Sequence, residues 1–218
     1  WHGVVGVRVR PAGWLEGEVA AFLLEHRNLA VRDDDPTPPV ASLLTSAGRG
    51  QSRGVQATVA GSRHGISGRV AYTWLRARRQ GPREAERPRP FDREQPHSLQ
   101  ASLVGEHPSG WSLGSRLEVA SGAPRTPVNG AVFDARGQRF DPVFGPQNSD
   151  RLPVFLALSA RAALTLYPRR SQLKLWLDVQ NVTNRKNVEE LYYNADYSQR
   201  SAILGLPILA VMGVEARL

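Results

Sequence analysis

Tiny and very long connections alternate along this chain, and that rhythm restricts the folds open to it more than any other feature. Short turns at Pro11-Ala12-Gly13, His64-Gly65, Pro108-Ser109-Gly110 and Pro168-Arg169-Arg170-Ser171 take turns with long polar stretches at roughly 27–50, 78–95, 122–152 and 183–206. Between them lie segments of alternating polarity. A barrel that crosses an outer membrane is laid out this way, with tight turns at the periplasmic rim and long loops at the extracellular rim.

A period of two sends alternate side chains to opposite faces of a strand. Over 172–181, Leu173, Leu175, Leu177 and Val179 share one face, opposite Lys174, Trp176, Asp178 and Gln180. Over 111–119, Trp111, Leu113, Leu117 and Val119 oppose Ser112, Gly114, Arg116 and Glu118, and helical periodicity fails in both. Softer alternation elsewhere completes a set of nine expected strands: 1–10, 14–26, 52–63, 66–77, 97–107, 111–121, 154–167, 172–182 and 207–218.

A soluble sandwich produces the same alternation, so strand length is the better discriminator. Most segments reach the roughly 9–11 residues needed to cross a bilayer at a tilt, whereas ordinary strands average about 5–6. Trp1, Trp14, Trp74, Trp111 and Tyr167 lie near segment ends, as in interfacial girdles. No stretch approaches the roughly 20 apolar residues of a spanning helix. The 41% hydrophobic content is ample for a sheet with one apolar face.

The net charge of +8 rests on arginine, since Lys174 and Lys186 are the only lysines among 28 basic residues. The densest group is Arg76, Arg78, Arg79, Arg83, Arg87, Arg89 and Arg93, interleaved with Glu84, Glu86 and prolines. It reads as a solvated loop rather than a nucleic-acid site, with attraction for an anionic ligand or for lipopolysaccharide phosphates as the competing reading. No cysteine is present, which excludes disulfides and thiolate metal sites.

Catalytic and metal motifs are missing. His2, His26, His64, His97 and His107 have no ligand spacing, and the glycines of 48–54 lack the Gly-Lys-Ser/Thr of a phosphate loop. Asp33-Asp34-Asp35 clusters oxygens of the kind calcium prefers, but no acidic residue recurs at EF-hand spacing. The expectation is a chain with no enzyme activity, no cofactor and no metal. Arg116, Glu118, Lys174, Asp178 and Gln180 are the expected lumen-facing polar residues, placed to touch an interior domain or a permeating solute or to form interstrand ion pairs. Ile208, Ala210, Met212, Val214, Ala216 and Leu218 form the apolar face of the last strand, whose Val214 and Leu218 are the expected assembly-signal positions.

Several motifs in matching order carry a family resemblance. Asn148-Ser149-Asp150-Arg151-Leu152-Pro153-Val154-Phe155 resembles an "NSxRLPxF" strand start. Leu175 to Arg185 is similar to "LYLDVQNVxNR", Tyr193 to Tyr197 to "YNxDY", and Gly205 to Leu209 to "GLPIxP". Upstream, Gly48 to Gln56 resembles "GxGxSxGxE", Phe91 to His97 resembles "FDxDQxH", and Ser121 to Val128 resembles "SGxPxTPV". These are motifs of TonB-dependent outer-membrane receptors of a myxobacterial-like type.

The resemblance implies an all-β, antiparallel transmembrane barrel portion, about nine strands of a barrel of 22, in the bacterial outer membrane. It implies that residues 1–218 are the C-terminal portion of such a receptor, without its plug domain and TonB box. The implied partners are the missing N-terminal strands and plug, the TonB system acting through them, the barrel-assembly machinery and outer-membrane lipid, with no nucleic acid. The implied function is energised uptake of a scarce solute such as a ferric siderophore, a cobalamin or an oligosaccharide. Two alternatives stay open on the residues: a soluble or surface all-β carbohydrate- or ligand-binding module, and a small passive porin. The aromatic end common in outer-membrane barrels is replaced here by Leu218, which implies weaker recognition by the assembly machinery.

Overall fold

The computed structural model of the chain describes residues 1–32, 44–81, 87–168 and 171–217. Its strands are β1 (His2–Ala12), β2 (Leu15–Arg32), β3 (Leu44–Arg63), β4 (Ile66–Gln80), β5 (Arg89–Pro90), β6 (His97–Glu106), β7 (Trp111–Ala120) and β8 (Pro124–Arg125). They continue as β9 (Val128–Asp134), β10 (Arg139–Phe144), β11 (Asp150–Arg151), β12 (Phe155–Leu166), β13 (Gln172–Gln180), β14 (Val188–Tyr193), β15 (Arg200–Leu204) and β16 (Leu209–Arg217). Nine of them form one antiparallel sheet in the order β1-β2-β3-β4-β6-β7-β12-β13-β16, with β5 added against β4. Every connection along that path joins neighbours, so the sheet is an up-and-down meander.

The turns explain the short connections. His64 (φ 51°) and Gly65 (φ 77°) both take left-handed backbone, the requirement of a two-residue hairpin whose twist matches its flanking strands. Gly110 (φ 92°) sits where an added Cβ would run into the Thr165 carbonyl, so glycine is demanded twice over. The Pro168–Ser171 turn includes residues 169–170, which lie outside the described residues, as do Asp33, Asp34 and Asp35.

The sheet register turns the sequence alternation into two chemically different faces, because Cα partners on neighbouring strands present their side chains to the same side. Val9, Gly17, Val59, Val70, Ala101, Leu117 and Leu158 are successive partners from β1 to β12. One residue along, Arg8, Glu18, Thr58, Ala71, Gln100, Glu118 and Ala157 form the adjacent row, which points the other way. The apolar face continues through Leu164, Leu175 and Val214 to the last strand.

Among the described residues, no second layer packs against this apolar face. Ala77 and Ala163 are the only buried hydrophobic residues among the described residues, while Val5, Val7, Leu113 and Met212 are 72%, 66%, 62% and 82% exposed. A sandwich would cover such a face with a second sheet about 10 Å away. Here, among the described residues, the elements in extensive contact are those that share a ladder. The apolar run on β4, from Ile66 to Trp74, ends at Arg76, and at roughly 3.3 Å per residue and a tilt of about 40° it covers most of a bilayer's ~25 Å apolar band.

The long connections are more structured than their polarity suggests. β2 and β3 continue their ladder as far as Arg32 and Leu44, through register shifts at His26/Leu29 and Leu29/Val31. The stretch after β7 folds a hairpin of β9 and β10, clamped by Phe133 and Phe140 with ring centroids 5.1 Å apart, and β14 with β15 forms another. These ribbons stand beyond the apolar band, where both faces meet water, so they carry no alternation by which sequence reasoning would recognise strands.

Val70, at the centre of the apolar band, and Ala71, its inward-facing neighbour, allow a direct test of the two faces. Val70→Arg should lower unfolding free energy in lipid vesicles by about 2–4 kcal/mol, and Ala71→Arg by well under half of that. Urea titration of the vesicle-inserted protein measures both.

Candidate functional site

Three strands build a charged patch on the inner face. β7 contributes Arg116 and Glu118, β12 contributes Ser159 and Arg161, and β13 contributes Asp178 and Gln180. Register sets Ser159 opposite Arg116 and Arg161 opposite Asp178. Arg116 lies 3.9 Å from Glu118, Arg161 lies 4.0 Å from Asp178, and the Arg161 guanidinium also sits over the Trp176 ring at 4.9 Å. Together these residues line a concavity of about 500 Å³ that reaches Asn181 and Asn187.

Four of the five expected lumen positions, Arg116, Glu118, Asp178 and Gln180, therefore share one surface. Lys174 stands apart, toward the turn rim, in a recess with Gln172, Glu215 and Arg217. Val214 lies on the exposed apolar face of β16 opposite Leu175, and Leu218 is outside the described residues. Sequence reasoning missed Arg161, although its position two residues after Ser159 in an otherwise apolar run marked it as inward-facing. Two cations and two carboxylates balance each other here. Exposed pairs of this kind are worth at most about 1 kcal/mol and exchange partners readily, so the patch suits a polar surface sliding past it.

A second site lies at the loop rim and is buried. Glu94 is fully inaccessible to solvent, accepts from the Ala77 backbone N–H at 3.0 Å and forms an ion pair with Arg151. Arg151 also donates to the carbonyls of Glu94 (2.9 Å) and Gly122 (3.2 Å). Asn148, in left-handed backbone at φ 58°, donates to the Pro90 carbonyl (2.8 Å) and to Asp92 (2.6 Å), and its own N–H reaches Thr126 (3.2 Å). Arg125 donates to the Tyr193 hydroxyl at 2.8 Å. Segments 91–95, 121–126, 148–153 and Tyr193 are thus joined into one latch over the end of β4.

The 181–187 segment closes the neighbouring corner. Asn181 donates to the carbonyls of Arg185 and Leu206, both at 3.0 Å, and accepts from the Arg185 N–H at 3.1 Å. Asn187 makes a two-way amide pair with the Leu156 backbone, at 3.0 and 2.8 Å. Asn184 accepts from the Ile208 N–H at 3.1 Å. Asn181 and Asn184 are also left-handed, a conformation asparagine tolerates better than most residues.

Beside the latch, a groove of about 690 Å³ opens between the upper ends of β2, β3 and β4, lined by His26, Arg27, Arg49, Arg78, Arg79 and Glu25 among others. Arg79 lies across Gly50, where any Cβ would collide with it, and its guanidinium covers the Phe91 ring at 4.5 Å. Burial pulls the Arg79 guanidinium below its ordinary pKa, and Asp92 opposes that shift. Arg78 is tied down by the Pro88 carbonyl at 3.1 Å. No group of acidic or histidine side chains among the described residues is arranged to hold a metal ion. His97 instead pairs with the Tyr72 hydroxyl at 2.7 Å, and His107 with Ser109 at 2.6 Å.

Comparison with known proteins matches residues 5–182 to the β-barrel family described as TonB dependent receptor-like. No curated protein matches the chain. Among solved structures it is similar to the FrpB iron transporter of Neisseria meningitidis, with TM-score 0.64, 15% identity, and 98% of this chain aligned on 30% of that one. It is similar also to the ferripyoverdine receptor of the Pseudomonas aeruginosa outer membrane (TM-score 0.67, 15% identity, 99% of this chain, 26% of that one). A third is the ferric-catecholate import receptor Fiu of Escherichia coli K12 (TM-score 0.64, 15% identity, 99% of this chain, 27% of that one). The chain spans less than a third of the length of each.

The latch yields a local prediction. Glu94→Ala leaves the Arg151 charge and the Ala77 N–H without their partner, which should cost about 3 kcal/mol. Hydrogen exchange should quicken at Ala77, Gly122 and Leu152 while the ladder between β6 and β7 keeps its protection.

Proposed function

Because this chain belongs to the TonB-dependent receptor β-barrel family, we propose that it is the C-terminal portion of a receptor barrel for energised uptake of a ferric chelate. The family is one of transporters and not of enzymes, and the chain is a wall of a bacterial outer-membrane barrel. The remaining strands would pair with the free edges of β1 and β16, a plug would fill the interior, and TonB would act on that plug. Outer-membrane lipid would cover the apolar face, after insertion by the barrel-assembly machinery.

The observation that carries the choice of solute is the arginine-lined groove at the loop rim. A ferric siderophore presents carboxylate, catecholate or hydroxamate oxygens and often net negative charge, which Arg27, Arg49, Arg78 and Arg79 would attract. A cobalamin or a neutral oligosaccharide gives such a cluster less to hold. The related structures named for iron, ferripyoverdine and ferric-catecholate transport support the same direction. The balanced patch of Arg116, Glu118, Arg161 and Asp178 then fits a plug surface that must move during import, since weak exposed pairs break without a large barrier.

Uptake of ⁵⁵Fe carried by a panel of siderophores tests the reading in cells expressing the complete receptor. Import of at least one ferric chelate should fall to background when the gene is deleted or the proton-motive force is collapsed. Arg79→Gln should weaken binding of that chelate roughly tenfold, as loss of one charge-assisted contact implies. Unchanged iron uptake after deletion, with loss of cobalamin or sugar uptake instead, would overturn the choice of solute.

A further inference from the structure

Outside the barrel wall, at the loop rim, two arginines face each other where lipid begins. Arg53 on β3 and Arg76 on β4 are Cα partners, so their side chains project from the same face. That face is the apolar one: Val55 and Trp74, the pair two residues nearer the turns, are also partners, followed by Ala57 with Tyr72 and Val59 with Val70. Neither Arg53 nor Arg76 lines the groove proposed for the chelate. Both are exposed, and neither has an ion-pair or hydrogen-bond partner among the described residues.

Like charges directly opposite on neighbouring strands are destabilising, so this arrangement calls for an anion between them. The height of the pair identifies the class of anion. Trp74 and Tyr72, with His97 bonded to the Tyr72 hydroxyl, form an aromatic rim immediately below it, which marks the edge of the hydrocarbon. Two residues further along the strand is a rise of about 7 Å before tilt, which reaches the headgroup layer and no further. Further up the same face stand Gln51 with Arg78, Arg49 with Gln80 and, on β2, Glu25, while β7 and β13 present Val119 and Val179 outward, so positive charge gathers on β3 and β4.

We propose that Arg53 and Arg76 form a docking site for the phosphate headgroup of an outer-leaflet glycolipid, with both guanidinium groups on one phosphate and the acyl chains lying over Val55, Val59 and Val70. Guanidinium suits this task because its planar donors match phosphate oxygens two at a time. The site rests on the outer-membrane reading, with the long loops on the extracellular side. It fixes one lipid against β3 and β4, on the membrane side of the chelate groove, whose Arg49 and Arg78 share the face of the pair.

The test uses the complete receptor in nonionic detergent, titrated with bis-phosphorylated lipid A and with the same lipid after enzymatic dephosphorylation. An arginine near a lipid surface is worth about 1 kcal/mol, or about fivefold in affinity. The phosphorylated lipid should therefore bind at least 25-fold more tightly, and Arg53→Gln with Arg76→Gln should abolish that preference. Arg53→Lys with Arg76→Lys should keep most of it, and Arg63→Gln, on the same face at the turn rim, should leave it unchanged. Heat-modifiable migration of each variant verifies folding. A folded wild-type receptor that binds both lipids equally, or a folded double glutamine variant that keeps the preference, would overturn the inference while leaving the transport reading intact. Failure of the wild-type receptor to insert into lipid at all would overturn both.

Discussion

The whole arrangement depends on pairing backbone amides in a medium that offers none of its own. Hydrocarbon cannot hydrogen-bond an exposed N–H or C=O, so a chain that crosses it in strands must satisfy every group by a continuous ladder. The meander of β1, β2, β3, β4, β6, β7, β12, β13 and β16 does this strand by strand, with the ladders from β3 to β16 running unshifted and the β1–β2 ladder shifting only between Val9 and Ala12, beside its turn. The register shifts on β2 and β3 occur beyond that band, near His26 and Leu29, where water satisfies what the ladder drops. Side-chain chemistry then follows from the ladder's period. Outward positions need only match lipid, and inward positions are free to carry charge.

At the loop rim the constraint reverses, because water competes for every polar contact and long segments lose conformational entropy when ordered. The latch around Glu94 answers this by excluding water locally. A fully buried carboxylate would be costly alone, but the Ala77 N–H and the Arg151 guanidinium supply its partners, and the other terminal nitrogen of Arg151 donates to two carbonyls. Removing any one member strands the others, which makes the cluster specific to one loop arrangement. That arrangement holds Phe91 under Arg79 and so shapes the wall of the neighbouring groove.

Legibility in the sequence followed the same physical divide. Where lipid imposes a period of two, as in Leu173, Leu175 and Leu177 against Lys174, Trp176 and Asp178, the strands and their faces could be read to within a few residues. The upper ladder of β2 and β3 and the hairpins β9–β10 and β14–β15 were invisible, because strands wetted on both sides show no alternation. The inner patch was readable as residues but not as geometry: Lys174 shares a strand face with Asp178 yet sits near Glu215 rather than in the patch. The resemblance motifs pointed to Asn148, Arg151, Asn181 and Tyr193 without showing why those residues recur together. Their common reason is contact across 22 to 68 positions of sequence, such as Arg151 with Glu94 or Arg125 with Tyr193, which no local pattern encodes.

Charge is distributed by face and by height rather than by overall excess. Inside the wall, Arg8 with Glu18, Arg116 with Glu118 and Arg161 with Asp178 pair cation and anion, which brings these stretches of the inner face near neutrality. At the loop rim the balance breaks in two places: inward at Arg79, and outward at Arg49, Arg53, Arg76 and Arg78. A net charge of +8 spread evenly would attract anions everywhere and select none. Gathered on β3 and β4 at the loop rim, arginines act within a Debye length of about 8 Å on whatever anion comes to that rim. The apolar band between Val55 and Ile66 separates this cluster from Arg63 on the turn side, so the attraction of the loop rim is local to it.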